Sequence, residues 1–540
     1  MEKTFARLFE ATQEGILVPA GSRLESLARE MKPDLVRTFG ENGDYAYTLR
    51  DVSLARTRLA TAGPFPDQTL DVGVPGRFNA RNAVAALAMG HWLTGELASG
   101  SLQDFCGVRR RQECLYRDEN LTVWEDYAHH PTEIKEFISF MAAQEPDRRV
   151  TVIFQPHRYS RTRVFRRELA QALSSADRVM LLPVYGASET PQEGGHLEDL
   201  IAACESVDVQ VGTPQTGPEL LDMLRIDSSI KRIILFVGAG DITDYAAVFK
   251  AVLENRHRWS AAWKAYTGPR VSPDTRLALD EPLDNKTTLR VGGPAECYAE
   301  PASIADLRTL LRSAALFGLP VFSLGRGSNL IVPDEGYDGL IIRFQHANWR
   351  RFEMLSDGRV WVGSGMRLKE LAAQAARHEM SGLEFMEGIP GTVGGALRMN
   401  AGAMGNWMFD VVERVLLMQM DGTVLDLDRS SFRVSYRSVE ELKHSIALGA
   451  IIRSPAQAST EAVRRKMQTY MLTRKSSQPK EPSAGCIFKN PDGDAAGRII
   501  DQLGLKGMAE GGAAVSDIHA NFVINRGNAT SRDVINLVRS

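Results

Sequence analysis

The 540-residue chain holds only five cysteines, Cys106, Cys114, Cys204, Cys297 and Cys486, and none stands at metal-ligand spacing from another. That scatter excludes a disulfide framework and a zinc site and fits a reducing compartment. The sequence also lacks a Gly-x-x-x-x-Gly-Lys-Ser/Thr, so it brings no P-loop of its own for a nucleoside triphosphate. Charge of one sign is absent: 64 basic and 67 acidic residues leave a net −3. No global field therefore draws the chain to nucleic acid or an anionic membrane, and any phosphate recognition must be local. Long apolar runs are missing too. Met1 to Glu10 has no signal-peptide core, and the run from Ile233 to Val237 is far too short to span a bilayer. The chain reads as a cytoplasmic protein without a membrane segment, long enough for three or more domains.

Glycine, by contrast, is concentrated. Residues 388–403 read Gly-Ile-Pro-Gly-Thr-Val-Gly-Gly-Ala-Leu-Arg-Met-Asn-Ala-Gly-Ala, with five glycines and one proline. That is too much backbone freedom for a helix or strand interior, so a loop is predicted. Its bare N–H groups could approach an anion, although a simple glycine-rich turn is the plainer alternative. A second such loop, Gly325-Arg-Gly-Ser-Asn329, ends a β-α-β pattern. A strand is predicted at 295–299. A helix follows with Ser303 as N-cap, Ile304, Leu307, Leu311 and Ala314 at helical spacing, and Gly318 and Pro320 closing it. The strand 321–324 then delivers the chain into a turn offering N–H groups, an Arg and a hydroxyl, which suits a pyrophosphate. Two phosphate-shaped loops, without a Walker lysine and without a Gly-x-Gly-x-x-Gly opening a helix, point to a dinucleotide held outside a Rossmann fold.

In the first half, residues 1 to about 75 alternate short apolar runs with turn signals. Pro75-Gly-Arg-Phe-Asn-Ala-Arg-Asn82 leads into a helix-forming run, with Asn79 and Asn82 near its start, where N-capping alone would account for them. Strands are predicted at 121–124, 150–154, 178–182 and 232–237, alternating with helices, which implies a parallel, doubly wound sheet. The polar clusters at 124–131, 155–163 and 238–241 all fall at strand carboxyl ends, where such sheets bind ligands; a solvated rim is the alternative. Residues 255–280 show no long periodic pattern and read as a connection.

Two later motifs carry chemistry. Ser435-Tyr-Arg-Ser438 sets Arg437 among polar neighbours, and Pro482-Ser-Ala-Gly-Cys-Ile-Phe-Lys-Asn-Pro491 sets Cys486 ahead of Lys489. A thiol of pKa near ~8.5, lowered by a neighbouring cation, exchanges a proton near neutrality. A small buried hydrophobe is the other role open to Cys486.

Asn79-Ala-Arg-Asn82, Asp126-Tyr-Ala-His-His-Pro131, Phe154-Gln-Pro-His-Arg-Tyr-Ser-Arg-Thr-Arg163 and Gly238-Ala-Gly-Asp241 resemble, in order, the carboxyl-terminal two-fifths of the UDP-N-acetylmuramate–L-alanine ligase family. That family forms an amide bond at the expense of ATP, through an acyl phosphate. The resemblance implies that Asn79 and Asn82 contact adenine, Arg110 or Arg111 and Asp126 the nucleotide, and His129, His157, Arg158 and Arg161 the amino acid and muramoyl carboxylate. ATP and Mg are implied only for an intact ligase half. The family has His where this chain has Phe78, and its uracil-binding and P-loop parts have no counterpart, so ligase activity is not expected of this chain.

Thr288-Leu-Arg-Val-Gly-Gly293, both glycine-rich loops, Ser435-Tyr-Arg-Ser438, Ser483-Ala-Gly-Cys-Ile-Phe-Lys-Asn490, Gly504-Leu-Lys-Gly507 and His519-Ala-Asn-Phe522 resemble the UDP-N-acetylenolpyruvoylglucosamine reductase family. The resemblance implies an FAD-binding domain of the vanillyl-alcohol-oxidase or PCMH type, and reduction of the enolpyruvyl group with NADPH as electron source. FAD would be held by Gly325, Arg326, Gly327, Ser328, Asn329, Ile389, Pro390, Gly391, Thr392, Gly394, Gly395, Asn400, Ala401 and Gly402. The UDP-sugar would meet Arg290, Tyr436, Lys489 and Asn490. Arg437 would stabilise developing charge, and Cys486, where many relatives have Ser, would donate the proton. The family carries a further catalytic Glu on a strand beyond the last helix, so the pattern reads as a ligase–reductase fusion clipped at both ends. The alternative reading is a catalytically incomplete fragment that binds FAD and a UDP-sugar.

The expected fold class is α/β and α+β multidomain: a doubly wound Mur-ligase C-terminal domain, then an FAD-binding α+β domain and a small α+β substrate domain. The expected divisions are 1–104 (remnant of the ligase ATP-binding domain), 105–255 (ligase C-terminal domain), 256–280 (linker), 281–455 (FAD-binding domain) and 456–540 (substrate domain).

Overall fold

The computed structural model describes residues 2–97, 99–105, 107–224, 230–255 and 258–540; Cys106 lies outside the described residues. The chain forms two compact units: Met1–Gln215 with Glu219–Lys250, and Thr216–Pro218 with Ala251–Ser540.

The first unit carries two sheets. In the first, the strands Ile16–Pro19, Val36–Gly40, Tyr45–Val52, Thr57–Ala62 and Thr69–Val72 lie in chain order, the first three parallel and the rest antiparallel. One face buries Tyr45, Leu59 and Leu70 against Ala80, Val84 and Leu87 of the helix Arg77–Thr94. That helix begins at Gly76, so neither asparagine caps it. Asn79 lies in its first turn and donates to the Pro75 carbonyl (2.7 Å) and to Gln112 Oε1 (3.0 Å), while Asn82 is exposed.

The second sheet has six strands in the order Val211–Gly212, Arg178–Leu181, Arg149–Gln155, Arg232–Gly238, Leu121–Asp126, Glu113–Arg117. All neighbours are parallel except the last pair. Its central strands are almost continuously buried, as expected of a parallel sheet covered on both faces. The doubly wound fold is thus borne out, and the three polar clusters do sit at strand carboxyl ends.

The second unit begins earlier than expected. Residues 256–280, where the sequence shows only a connection, contain the helix Trp259–Thr267 and the strand Arg276–Pro282. Trp259, Ala262, Trp263 and Tyr266 share one helix face by their spacing. Trp263 is fully buried and donates from Nε1 to Ser313 Oγ at 3.0 Å. The strand Arg276–Pro282 edges a four-stranded sheet with Pro294–Glu300, Tyr337–Ile342 and Val321–Ser323, in that order. Ser303 caps the helix Ile304–Phe317 through the Asp306 N–H, and Gly318 ends it in the left-handed conformation, as the sequence predicts.

A five-stranded sheet follows: Phe352–Met354, Arg359–Gly363, Ser445–Arg453, Val412–Gln419 and Val424–Asp428. Residues 456–477, expected in the substrate domain, belong with this sheet instead. Ala456–Gln457 pairs with Met380–Ser381, and the helix Thr460–Ser477 inserts Val463 and Met467 into the same core as Leu371 and Met386. The last layer is a small sheet, Ser483–Cys486, Phe522–Asn525, Ala513–Val515 and Ala509–Glu510, with the helices Ala496–Gln502 and Ser531–Arg539.

The paired glycines of Thr288-Leu-Arg-Val-Gly-Gly293 are required sterically. Gly292 has φ +113°, and a Cβ there would lie 2.5 Å from Val332 Cβ and 2.8 Å from its carbonyl oxygen. Gly292→Ala is expected to destabilise this unit by about 1–3 kcal/mol, the usual range for overpacking a filled site, as a lower urea midpoint. An unchanged midpoint would contradict this packing.

Candidate active site

The two glycine-rich loops of the second unit meet. After the strand Val321–Ser323, residues 325–329 turn sharply: Gly327 has φ +63°, and a Cβ on it would lie 2.8 Å from both the Lys286 carbonyl oxygen and Thr287 Cα. A Cβ on Gly325 would sit 2.7 Å from Thr392 Oγ1, which belongs to the other loop.

Residues 388–403 are not wholly a loop. Val393–Met399 is a two-turn helix, N-capped by Thr392 Oγ1 through the Gly395 N–H (3.4 Å) and ended by Asn400 in the left-handed region (φ 39°). Its glycines are tolerated because tertiary packing replaces intrinsic propensity. Val393, Ala396 and Leu397 are buried, and the Gly394 N–H reaches the Ser364 carbonyl at 2.9 Å, with only 3.1 Å left between Ser364 Cβ and a Cβ on Gly394. Asn400 is buried, and its Oδ1 accepts from the Phe409 N–H (3.1 Å), so this side chain braces the backbone behind the site.

Between the loops opens a cavity of about 690 Å³. Its wall includes residues 325–329, Ile389, Pro390, Gly391, Thr392, Gly394, Gly395, Asn400, Ala401, Gly402, Tyr436, Arg437, Cys486 and Asn490, all expected in the site. Arg290 lies instead on a second cavity of about 550 Å³, along with Lys286, Arg326, Arg343, Arg350, Arg367 and Lys480. Lys489 is exposed and lines neither. The second cavity is strongly cationic, with Glu481 as its one acidic lining residue, a setting that attracts phosphates.

Cys486 ends the strand Ser483–Cys486, and Arg437 comes from the turn between Val434–Ser435 and Ser438–Val439 with φ 55°. The Arg437 guanidinium donates to the Cys486 carbonyl oxygen at 3.0 Å, which ties the two motifs together. Lys489 does not lower the thiol's pKa, contrary to the sequence reading. Burial pushes the Cys486 thiol up, opposed by Arg437 and Arg474. The thiol is therefore held protonated at neutral pH, the state a proton donor needs. Arg474, in the last turn of the helix Thr460–Ser477, lines both cavities and was not anticipated. In sequence it is one of several basic residues on a polar helix.

In the first unit the ligase-like residues form two local groups, Asn79 with Asp126 through Gln112, and His129 with His157. Asp126 is buried and accepts from the Ala128 N–H (2.6 Å) and the Gln112 N–H (2.9 Å); desolvation outweighs these bonds and raises its pKa. Arg110 bonds the Gly238 and Gly240 carbonyls, while Arg110 and Arg111 both lie over the Tyr127 ring. The His129 and His157 rings are 6.0 Å apart, and His157 stacks on Tyr185. Burial pushes the His157 imidazole down, aided by Arg161 and His129. His157 Nδ1 and one Arg161 nitrogen are buried without a partner, and Arg158 pairs with Glu189 at 4.0 Å. No group of three metal-ligating side chains occurs among the described residues, and no described helix is long and apolar enough to cross a membrane.

A dinucleotide-sized cavity between two glycine-rich loops, outside a Rossmann fold, defines the class, an FAD-binding protein, and residues 295–428 match the family described as FAD binding domain. Residues 478–540 match UDP-N-acetylenolpyruvoylglucosamine reductase, C-terminal domain, and residues 110–241 match Mur ligase, glutamate ligase domain. UDP-N-acetylenolpyruvoylglucosamine reductase 2 of Symbiobacterium thermophilum is 43% identical over 265 residues, covering 49% of this chain and 85% of that protein. The crystal structure of the reductase MurB from Thermus caldophilus is 38% identical, with TM-score 0.43, covering 49% of this chain and 93% of that one. The ligase MurC from Thermotoga maritima is 26% identical, with TM-score 0.39, covering 47% of this chain and 55% of that one. Over its C-terminal half the chain belongs to the UDP-N-acetylenolpyruvoylglucosamine reductase family, fused behind a Mur-ligase-type domain.

Proposed function

We propose that the second unit reduces UDP-N-acetylenolpyruvoylglucosamine to UDP-N-acetylmuramate in peptidoglycan synthesis, with FAD as cofactor and NADPH as reductant. The observation that supports it most is the 3.0 Å bond from Arg437 to the Cys486 carbonyl, which puts a cation and a protonated thiol on one wall of the cavity formed by the two loops. The cavity suits a flavin dinucleotide: Gly325 and Gly327 let the turn 325–329 close against Thr392, Lys286 and Thr287, where a Cβ would clash, and Ser364 Oγ is buried in the cavity wall without a partner.

Bound FAD would supply hydride to the terminal enolpyruvyl carbon. The chain's own residues do the rest. Residues 325–329 would hold the pyrophosphate with backbone N–H groups, with Gly391 and Thr392 facing them across the cavity, while Arg437 would hold the substrate carboxylate and stabilise the charge that develops on it. Cys486 Sγ gives its proton to the neighbouring carbon and is reprotonated from solvent. Arg290 and the cationic second cavity suit the UDP diphosphate, and Tyr436 and Asn490 line the approach.

For the first unit we infer binding of a carboxylate by His129, His157, Arg158 and Arg161, with Asn79, Asn82 and Asp126 on the nucleotide side. No ATP-dependent turnover is assigned to it in this chain, which carries no P-loop sequence.

Incubation with FAD should give a protein that keeps flavin absorbance through gel filtration. It should then oxidise NADPH beyond the one equivalent that reduces its flavin only when the enolpyruvyl substrate is added. Failure to retain FAD would overturn the cofactor assignment.

A further inference from the structure

We propose that Asn521 positions the proton donor: its side-chain amide closes on the backbone of Phe488 and so fixes the strand that presents the Cys486 thiol to the cavity. This deepens the reductase reading above and rests on it.

The strand that ends at Cys486 is poorly held by its own ladder. Ser483–Cys486 lies at the edge of its sheet, so only Phe522–Asn525 pairs with it. That pairing is also interrupted. Ser483 stands opposite Ile524 and Cys486 opposite Phe522, three steps along one strand against two along the other, and Gly485 has φ +80° within the longer stretch. Such a bulge re-aims the side chains beside it and breaks the ladder at that point. A thiol placed there needs an anchor on its far side.

Asn521 supplies the anchor. Its Oδ1 accepts from the Phe488 N–H at 2.8 Å, and its Nδ2 donates to the Phe488 carbonyl at 3.0 Å. The Ile487 N–H donates to the Asn521 carbonyl at 2.9 Å. The pairing therefore continues past Cys486 through Ile487 and Phe488, with a side chain standing in for a backbone partner. Asn521 is buried, and its own N–H donates to His519 Nδ1 at 3.2 Å, so every polar atom it carries is matched. The chain then packs over it. Gly497, in the helix Ala496–Gln502, comes so near that a Cβ there would lie 3.5 Å from Asn521 Cβ and 2.9 Å from His519 Cε1.

The residue type matters. An amide offers an acceptor and a donor side by side, the complement of one residue's N–H and C=O. Asp would keep the acceptor and set a second oxygen against the Phe488 carbonyl, and Ala would supply neither, leaving the Phe488 backbone groups unmatched. Asn521 lines neither cavity, so it acts only through what it holds. Arg437 fixes the Cys486 carbonyl at 3.0 Å, Asn521 fixes the backbone two residues on, and the thiol is held from both directions.

The test is the rate at which UDP-N-acetylenolpyruvoylglucosamine reoxidises FAD-loaded, NADPH-reduced protein, with Asn521→Ala placed in the parent and in Cys486→Ala. In the parent the substitution should slow reoxidation by ~10- to 10²-fold, as a displacement of about 1 Å in a reacting group does, while reduction of the flavin by NADPH keeps its rate. In Cys486→Ala it should add less than ~2-fold, because the thiol it positions is gone. Asn521→Asp carries the same expectations if Asn521→Ala fails to fold. An equal loss in both backgrounds, or equal slowing of both half-reactions, would overturn the proposal. Loss of FAD binding in both variants would overturn it too, making Asn521 a residue of folding alone. A parent that takes up no FAD would instead overturn the reductase reading itself.

Discussion

Cys486→Ala should leave reduction of bound flavin by NADPH intact while slowing turnover by ~10²- to 10⁴-fold, the usual worth of a positioned general acid. The two half-reactions separate in stopped flow, and an equal loss in both would refute the donor role. The pH dependence follows from the thiol's surroundings. Burial raises the Cys486 pKa more than Arg437 and Arg474 lower it, so the group stays protonated through neutral pH. A general acid is active below its pKa and inactive above it. The alkaline limb of the reoxidation step should therefore lie above the ordinary thiol value of ~8.5. Cys486→Ser should keep much of the rate and lose that limb, because an alcohol does not ionise in the range.

Arg437→Ala should cost ~10²-fold or more in kcat/KM, as removal of one preorganised electrostatic group does. Arg437 is poised by its backbone: φ 55° is a sparsely populated region for a residue with a Cβ, and such strain concentrates at functional sites. Its side chain also holds the Cys486 carbonyl, so the truncation removes both charge stabilisation and alignment of the thiol. Arg437→Lys should recover only part of the loss, since an ammonium cannot donate as a planar fork to the carboxylate and the carbonyl together. Wild-type kcat/KM in Arg437→Ala would remove it from the mechanism.

Much of the site was legible because its residues lie in contiguous motifs. The turn at 325–329 follows a β-α-β unit whose cap, apolar stripe and closing glycine are all local signals, and the parallel sheet of the first unit shows in its continuous apolar runs. What escaped depends on tertiary contacts. The helix Val393–Met399 exists because Val393, Ala396 and Leu397 anchor glycines that would not form it alone. The helix Trp259–Thr267 hid in a stretch too short to show a repeat, although its tryptophans and Tyr266 share one face. Arg474 looked like any residue of a basic helix until the fold placed it between the two cavities. The sign of the Cys486 shift was misread because Lys489, near in sequence, is exposed, while burial and two distant arginines set the pKa.

In the proposed reaction, the cavity between the two loops couples a bound flavin to Cys486. Anaerobic mixing of FAD-loaded, NADPH-reduced protein with UDP-N-acetylenolpyruvoylglucosamine tests it most directly. Oxidised flavin absorbance should recover in the parent, and recover ~10²- to 10⁴-fold more slowly in Cys486→Ala. Flavin that stays reduced in the parent, or is reoxidised at the same rate in both proteins, would contradict it.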